Sequence, residues 1–163
     1  LAGRAVRLAD LFDKSIFRLQ AGLISKKCYL AVGGLDEGLR ICHDLSLAFR
    51  LWMHYPIAYL DEVVFACRKH DSNISSDPIL RLTENIRVIE DLCREFPKAE
   101  QILGRHRVHA RLAYRYYRLA KTQMKNGKTA AARQSLRTAV GLSSLNPKYR
   151  LYQLQWAAVK SRT

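Results

Sequence analysis

The chain has 163 residues, enough for one good core or two small ones, and its 28 Lys and Arg against 14 Asp and Glu give a formal net charge of +14. No run of about 18 apolar residues occurs, which argues against a membrane span and leaves room only for peripheral membrane contact. The sequence opens at Leu1 with neither Met nor a leader, so it is read as a piece of a longer protein or a trimmed chain.

From Leu1 to Leu30 a helix or loop leads into an extended Leu19–Ser25 segment, followed by a short helical turn through Lys26–Ala31. Gly33-Gly34 interrupts it, because paired glycines supply backbone angles that other residues resist. The next helix runs from about His43 to Tyr55, with Leu45, Ala48, Trp52 and Tyr55 on one face, widened by Leu47 and Leu51, and Pro56 ends it. Ile57–Leu60 and Val63–Arg68 are β-branched and aromatic and are split by Asp61-Glu62, which predicts two short strands. A few strands with helical cover are too little for a complete α/β domain, so their edges call for a partner from an upstream region.

Asp77-Pro78 is a helix start, with Asp as N-cap and Pro at the first helical position. The helix that follows carries Ile79, Leu82, Ile86, Ile89, Cys93 and Phe96 as a core-forming stripe and stops at Pro97. The remainder reads as helical hairpins: one long helix from about Lys98 to Lys125, a turn at Asn126-Gly127, a helix from Lys128 to Val140 capped by Gly141, and a last helix after Pro147. Small residues at Ala120, Ala132 and Ala139 let paired helices approach closely. The stretch resembles a single tetratricopeptide-type helix pair, and one copy falls short of the several repeats a solenoid needs. Gly127-Lys128-Thr129 is not a phosphate loop, since Thr122 stands where that motif needs its first glycine.

Charge divides the chain. Not one Asp or Glu occurs from Gln101 to Thr163, and Arg107, Arg111, Arg115 and Arg118 form one basic helical stripe there. Residues 1–76 and 77–163 are therefore read as two regions with two jobs. The four cysteines, Cys28, Cys42, Cys67 and Cys93, lack a C-x-x-C pair and have apolar neighbours, the pattern of buried free thiols in a reducing compartment.

Three polar motifs recur in order at element ends: Gly33-Gly34-Leu35-Asp36-Glu37, then His43-Asp44 leading an apolar helix to Arg50, then Arg68-x-His70-x-x-Asn73-x-Ser75 after a strand. Read on residues alone, each has an ordinary meaning. The glycines make a tight turn with solvated acids, Asp44 caps a helix, and His70 is a surface residue beside the turn-shaping Asn73 and Ser75.

Together, over roughly Gln20–Ser75, the motifs closely resemble the acceptor-side part of a family 2 glycosyltransferase, which has the glycosyltransferase A fold. The resemblance implies an α/β remnant of that fold with few short strands, followed by an all-α helical appendage, mostly helical overall. It implies a nucleotide-sugar-dependent, inverting transfer of a sugar to a glycan or lipid-linked acceptor, within glycan biosynthesis at the cell envelope. Asp44 falls on the family's catalytic base, which takes the proton from the acceptor hydroxyl. His43 stands where the family usually has Glu. Gly33, Gly34, Asp36 and His43 then line the acceptor side, while His70 and Arg68 face the diphosphate or a metal. The divalent metal, Mn or Mg, would be held mainly by an Asp-x-Asp motif in the N-terminal half, upstream of Leu1, and the fragment alone would be inactive.

The basic helices fit a cytoplasmic enzyme resting peripherally on an anionic inner membrane face, through Arg107, Arg111, Arg115 and Arg118. The alternative is a non-catalytic basic helical module that binds an anionic membrane surface, nucleic acid or a protein partner. Nucleic acid is disfavoured, because the stripe has no recognition helix or stacking platform and Tyr114, Tyr116 and Tyr117 read as packing residues.

Overall fold

The computed structural model describes residues 3–14, 17–66 and 76–158, with side chains through Trp156. The chain is mostly helical. In order come β1 (Arg4–Ala5), α1 (Leu8–Lys14), a 3-10 turn (Leu19–Ala21), α2 (Lys26–Ala31), α3 (His43–His54), β2 (Ala58–Tyr59), α4 (Pro78–Glu95), α5 (Pro97–Leu103), α6 (Arg105–Lys125), α7 (Thr129–Leu142) and α8 (Pro147–Ala158). It divides into two compact units, Leu1–Ser76 with Glu90–Leu103, and Asp77–Ile89 with Gly104–Thr163. Residues 90–103 thus belong with the N-terminal region.

In the first unit α1 lies against both α3 and α5. Leu8, Leu11 and Phe12 of α1, Leu47, Ala48 and Phe49 of α3, and Ala99 of α5 are almost completely buried. Each large apolar side chain removed from water in this way contributes roughly 1.5–3 kcal/mol. The helix α3 ends where the sequence requires: Tyr55, the residue before Pro56, is extended at φ −140° and ψ 148°, since the proline ring disfavours helical angles at the preceding residue. The Trp52 indole Nε1 donates to the Val6 carbonyl at 2.7 Å and ties α3 to the chain leaving β1. His54 meets Phe96 edge-on at 5.5 Å.

Several elements differ from the sequence reading. The two described strands form one antiparallel pair, Arg4 opposite Tyr59 and Ala5 opposite Ala58. The partner of the first predicted strand therefore comes from within this chain, and that strand shrinks to two residues. Residues 63–66, the described part of the second predicted strand, are not strand although Val63 and Val64 are β-branched: both are exposed, and without a ladder partner among the described residues β-propensity alone does not hold a strand. The first half of the predicted Leu19–Ser25 extended segment closes into the 3-10 turn, with Gly22 N–H donating to Leu19 O at 3.1 Å.

In the second unit α6 and α7 form a hairpin across Asn126-Gly127, and α8 packs on α7. Ala113, Ala120, Ala132 and Ala139 are fully buried, so the helices approach closely where their side chains are smallest. Ala113, Tyr117, Ala120, Leu136, Ala139 and Tyr149 make the core, with Tyr116, Val140, Leu142, Tyr152 and Trp156 packed on it. Ser135 Oγ donates to Gln123 Oε1 at 2.8 Å across the hairpin. The expected single helix from Lys98 to Lys125 is two helices, because Gly104 at φ 85° leaves the helical region. Gly141 does not cap α7. The helix runs through it to Leu142 with Ser143 as C-cap, held by the packing of Val140 and Leu142 on the core.

The start of α4 matches its sequence signature. Asp77 Oδ1 accepts from the Ile79 and Leu80 amides at 2.9 and 3.0 Å, satisfying two of the donors that a helix start leaves open. Leu82, Ile86, Ile89 and, beyond the predicted stripe, Val88 and Leu92 are buried, and Ile79, Cys93 and Phe96 are half-buried.

Candidate functional site

The glycine pair closes α2. Gly33 and Gly34 adopt φ 81° and 66°, and their amides donate to the Leu30 and Tyr29 carbonyls at 3.0 Å each. Left-handed glycines after a helix satisfy its last carbonyls in this manner. At Gly34 a second constraint acts: a Cβ there would lie 3.1 Å from the Tyr29 hydroxyl and 3.2 Å from Cζ of the same ring. That hydroxyl accepts from the Leu35 amide at 3.2 Å, so Tyr29 folds back under the turn and fixes the exit of the chain.

Arg50 of α3 clasps this turn from the other side. Its Nη1 donates to the Val32 carbonyl and its Nη2 donates to the Gly34 carbonyl at 2.7 Å. The carbonyls at a helix C-terminus carry partial negative charge, and a planar guanidinium can bridge two of them. Below the turn Val32, Leu47 and Leu51 form a buried cluster with Ile24, Cys28, Tyr29, Leu35 and Tyr55 packed against it. The Gly-Gly turn and α3 are therefore joined by both apolar packing and charge-assisted bonds.

His43 and Asp44 open α3, both half-buried. The N-cap is Cys42, whose side chain makes no capping bond, and Asp44 Oδ1 accepts from the Leu45 amide at 2.7 Å. Asp44 thus sits in the first turn of α3. Arg50 lies six positions further on, about 9 Å along the helix axis. Asp36, half-buried in the intervening loop, accepts from the Gly38 amide at 2.8 Å through Oδ1 and shapes the turn toward α3. The structure so brings Gly33 and Gly34 onto the helix that begins with His43 and Asp44. Arg68 and His70, with Asn73 and Ser75, lie outside the described residues. Among the described residues, no group of three or more His, Cys, Asp or Glu is placed to hold a metal ion. Cys28, Cys42 and Cys93 form no disulfide, Cys42 buried and the other two half-buried, and Cys67 lies outside the described residues.

On α6 the basic stripe is not uniform. Arg107 and Arg118 are exposed, whereas Arg111 and Arg115 are half-buried with their Nε atoms shielded from solvent. A second group of cations gathers on tyrosines. Lys121 Nζ lies 5.8 Å from the Tyr117 ring centre and 5.5 Å from that of Tyr152, and Lys148 Nζ lies 5.3 Å from Tyr117. Tyr117 packs on Tyr149 at 4.9 Å and meets Tyr152 edge-on at 5.4 Å. Burial pushes the Tyr117 hydroxyl up to about 12. The Tyr114 hydroxyl is instead held below its ordinary value, first by the hydrogen bond from Arg118 Nη1 at 3.1 Å and then by surrounding cationic charge that includes Lys148. The only advance signal was the absence of acids after Gln101; nothing local in the sequence marked Lys121 and Lys148 as neighbours.

No protein-family model, curated protein or solved structure matches the chain. No helix among the described residues is long and apolar enough to cross a membrane.

Proposed function

We propose that the chain is the acceptor-side part of a family 2 glycosyltransferase of the glycosyltransferase A fold. The observation that carries this reading is the Arg50 clasp, which joins the Gly33-Gly34 turn to the helix headed by His43 and Asp44. In this reading Asp44 removes the proton from an acceptor hydroxyl, the hydroxyl oxygen bonds to the anomeric carbon of a nucleotide sugar, and the nucleoside diphosphate leaves from the opposite face, inverting that carbon. Gly33 and Gly34 keep the backbone low beside the acceptor, a glycan or lipid-linked sugar, and Asp36 and His43 contact it. The divalent metal and the donor-binding strands belong to a region other than the described residues.

The test is transfer by the intact parent protein from a panel of uridine and guanosine diphosphate sugars, with and without manganese. Metal-dependent turnover that is abolished in Asp44→Asn, with donor binding retained, supports the assignment. Unchanged turnover in that variant removes Asp44 as the base, and no turnover with any donor from folded protein removes the transferase reading.

A second reading, a basic helical module that binds an anionic surface, is favoured by one observation: the Lys121 and Lys148 ammonium groups share the Tyr117 ring in a stretch without acids.

A further inference from the structure

In the second unit three of the many cations lie over tyrosine rings. Arg118 and Lys121 come from α6 and Lys148 from α8, and three tyrosines hold them. The Arg118 guanidinium carbon is 5.9 Å from the Tyr114 ring centre and its Nη1 donates to the Tyr114 hydroxyl. Lys121 lies over Tyr117 and Tyr152, and Lys148 over Tyr117. The rings are themselves fixed. Tyr117 is buried in the core beside Tyr149, and Tyr152 is braced edge-on by Trp156 at 5.9 Å. Arg133 Nη2 donates to the Trp156 carbonyl at 3.1 Å and secures α8 against α7.

Lys121 and Lys148 share the Tyr117 ring, and each such contact weakly biases the cation toward the ring and offsets part of the repulsion between them. The sequence from Gln101 onward contains no carboxylate that could neutralise them locally. The group is open to solvent, with Arg118, Tyr114 and Lys148 exposed and Lys121 and Tyr152 half-buried. Ammonium, guanidinium and phenol groups are all donors to oxygen, and more than one unit of positive charge at one spot suits a dianion better than a single carboxylate.

We propose that Lys121, Lys148 and Arg118, braced by Tyr114, Tyr117 and Tyr152, form a binding site for a phosphomonoester or diphosphate group. The site is independent of the transferase reading and deepens the basic-module reading, giving it a definite ligand chemistry. The group is either free in solution or presented as a lipid headgroup. Tyr114 points the same way: its hydroxyl is held below its ordinary value by Arg118 and by charges that include Lys148, the field that an entering anion would meet.

The test is titration calorimetry of the chain with inorganic pyrophosphate, together with sedimentation binding to phosphatidylcholine vesicles doped with phosphatidic acid. The double variant Lys121→Gln/Lys148→Gln is compared with Lys125→Gln/Arg137→Gln, which removes the same charge at exposed positions of α6 and α7. The expected result is saturable binding that weakens at least about tenfold in the first variant and less than about threefold in the second. Pyrophosphate binding with this pattern assigns a soluble ligand, and vesicle binding alone with this pattern assigns a headgroup. Equal weakening in both variants overturns the site and leaves only net-charge attraction. No binding of the unaltered chain to either probe overturns the site and the basic-module reading together. If circular dichroism shows the first variant misfolded, Lys148→Gln alone, at an exposed position, is held to the same comparison with Arg137→Gln.

Discussion

Arg50 Nη2 donates to the carbonyl of Gly34 at 2.7 Å, and the same guanidinium reaches the Val32 carbonyl, so one side chain of α3 closes the C-terminal end of α2. Arg50→Ala leaves both carbonyls to water or to nothing, and is expected to destabilise the chain by about 2 kcal/mol. Arg50→Lys is expected to recover less than half of that, because a point charge on a flexible stem cannot bridge two carbonyls as a planar fork does. Urea denaturation of the three proteins checks this, and equal stability of the Lys variant and the original would show that charge alone suffices.

Gly34 and Gly127 separate backbone strain from steric contact. Both have positive φ, 66° and 72°, but a Cβ at Gly127 would meet nothing within 4 Å while one at Gly34 would press on the Tyr29 ring. Gly127→Ala is expected to cost about 1 kcal/mol from strain alone. Gly34→Ala is expected to cost at least about 1 kcal/mol more, since Tyr29 and its bond to the Leu35 amide must also move. Thermal denaturation of the two variants decides it, and equal losses would show that Tyr29 yields freely.

The Arg7–Asp10 pair sets an acid limb. Arg7 Nε and Nη2 donate to the two Asp10 oxygens at 3.0 and 2.9 Å, and this hydrogen bonding is the main cause that lowers the Asp10 carboxyl from 3.8 to about 2. A depressed folded-state value means that the contribution is complete above the unfolded value and is lost as pH falls from near 4 toward 2. Asp10→Asn is expected to lower stability at neutral pH and to flatten stability over that acid window. A pH series of denaturation midpoints measures it, and an unchanged acid slope would assign the limb to other groups.

Burial first, and then the charges of Glu100 and Glu90, push the Cys93 thiol up to about 11. Because only the thiolate is nucleophilic, alkylation of Cys93 at pH 8 is expected to be slower than that of a small exposed thiol by about two orders of magnitude. Peptide-resolved mass spectrometry over time reads the rate, and modification as fast as the small thiol would contradict the burial argument.

The sequence by itself determined the punctuation of the fold. Pro56, Asp77-Pro78, Pro97, Asn126-Gly127 and Pro147 stop or start helices through their own φ restriction, missing amide or capping oxygen, effects that need no distant partner. The order of the three motifs was likewise visible, as was the Gly33-Gly34 break after α2. Tertiary structure decided what required a partner remote in the chain. Tyr59 became strand because Arg4 reached it, while Val63 and Val64, equally suited by type, met no strand partner among the described residues. Arg50 became a clasp only once α3 lay beside the end of α2, and Lys121 and Lys148 became neighbours only once α8 brought Tyr152 against Tyr117. Local preferences are set by each residue's own bonds, whereas these contacts exist only after the intervening loops have closed, and side-chain type alone does not say which closures occur.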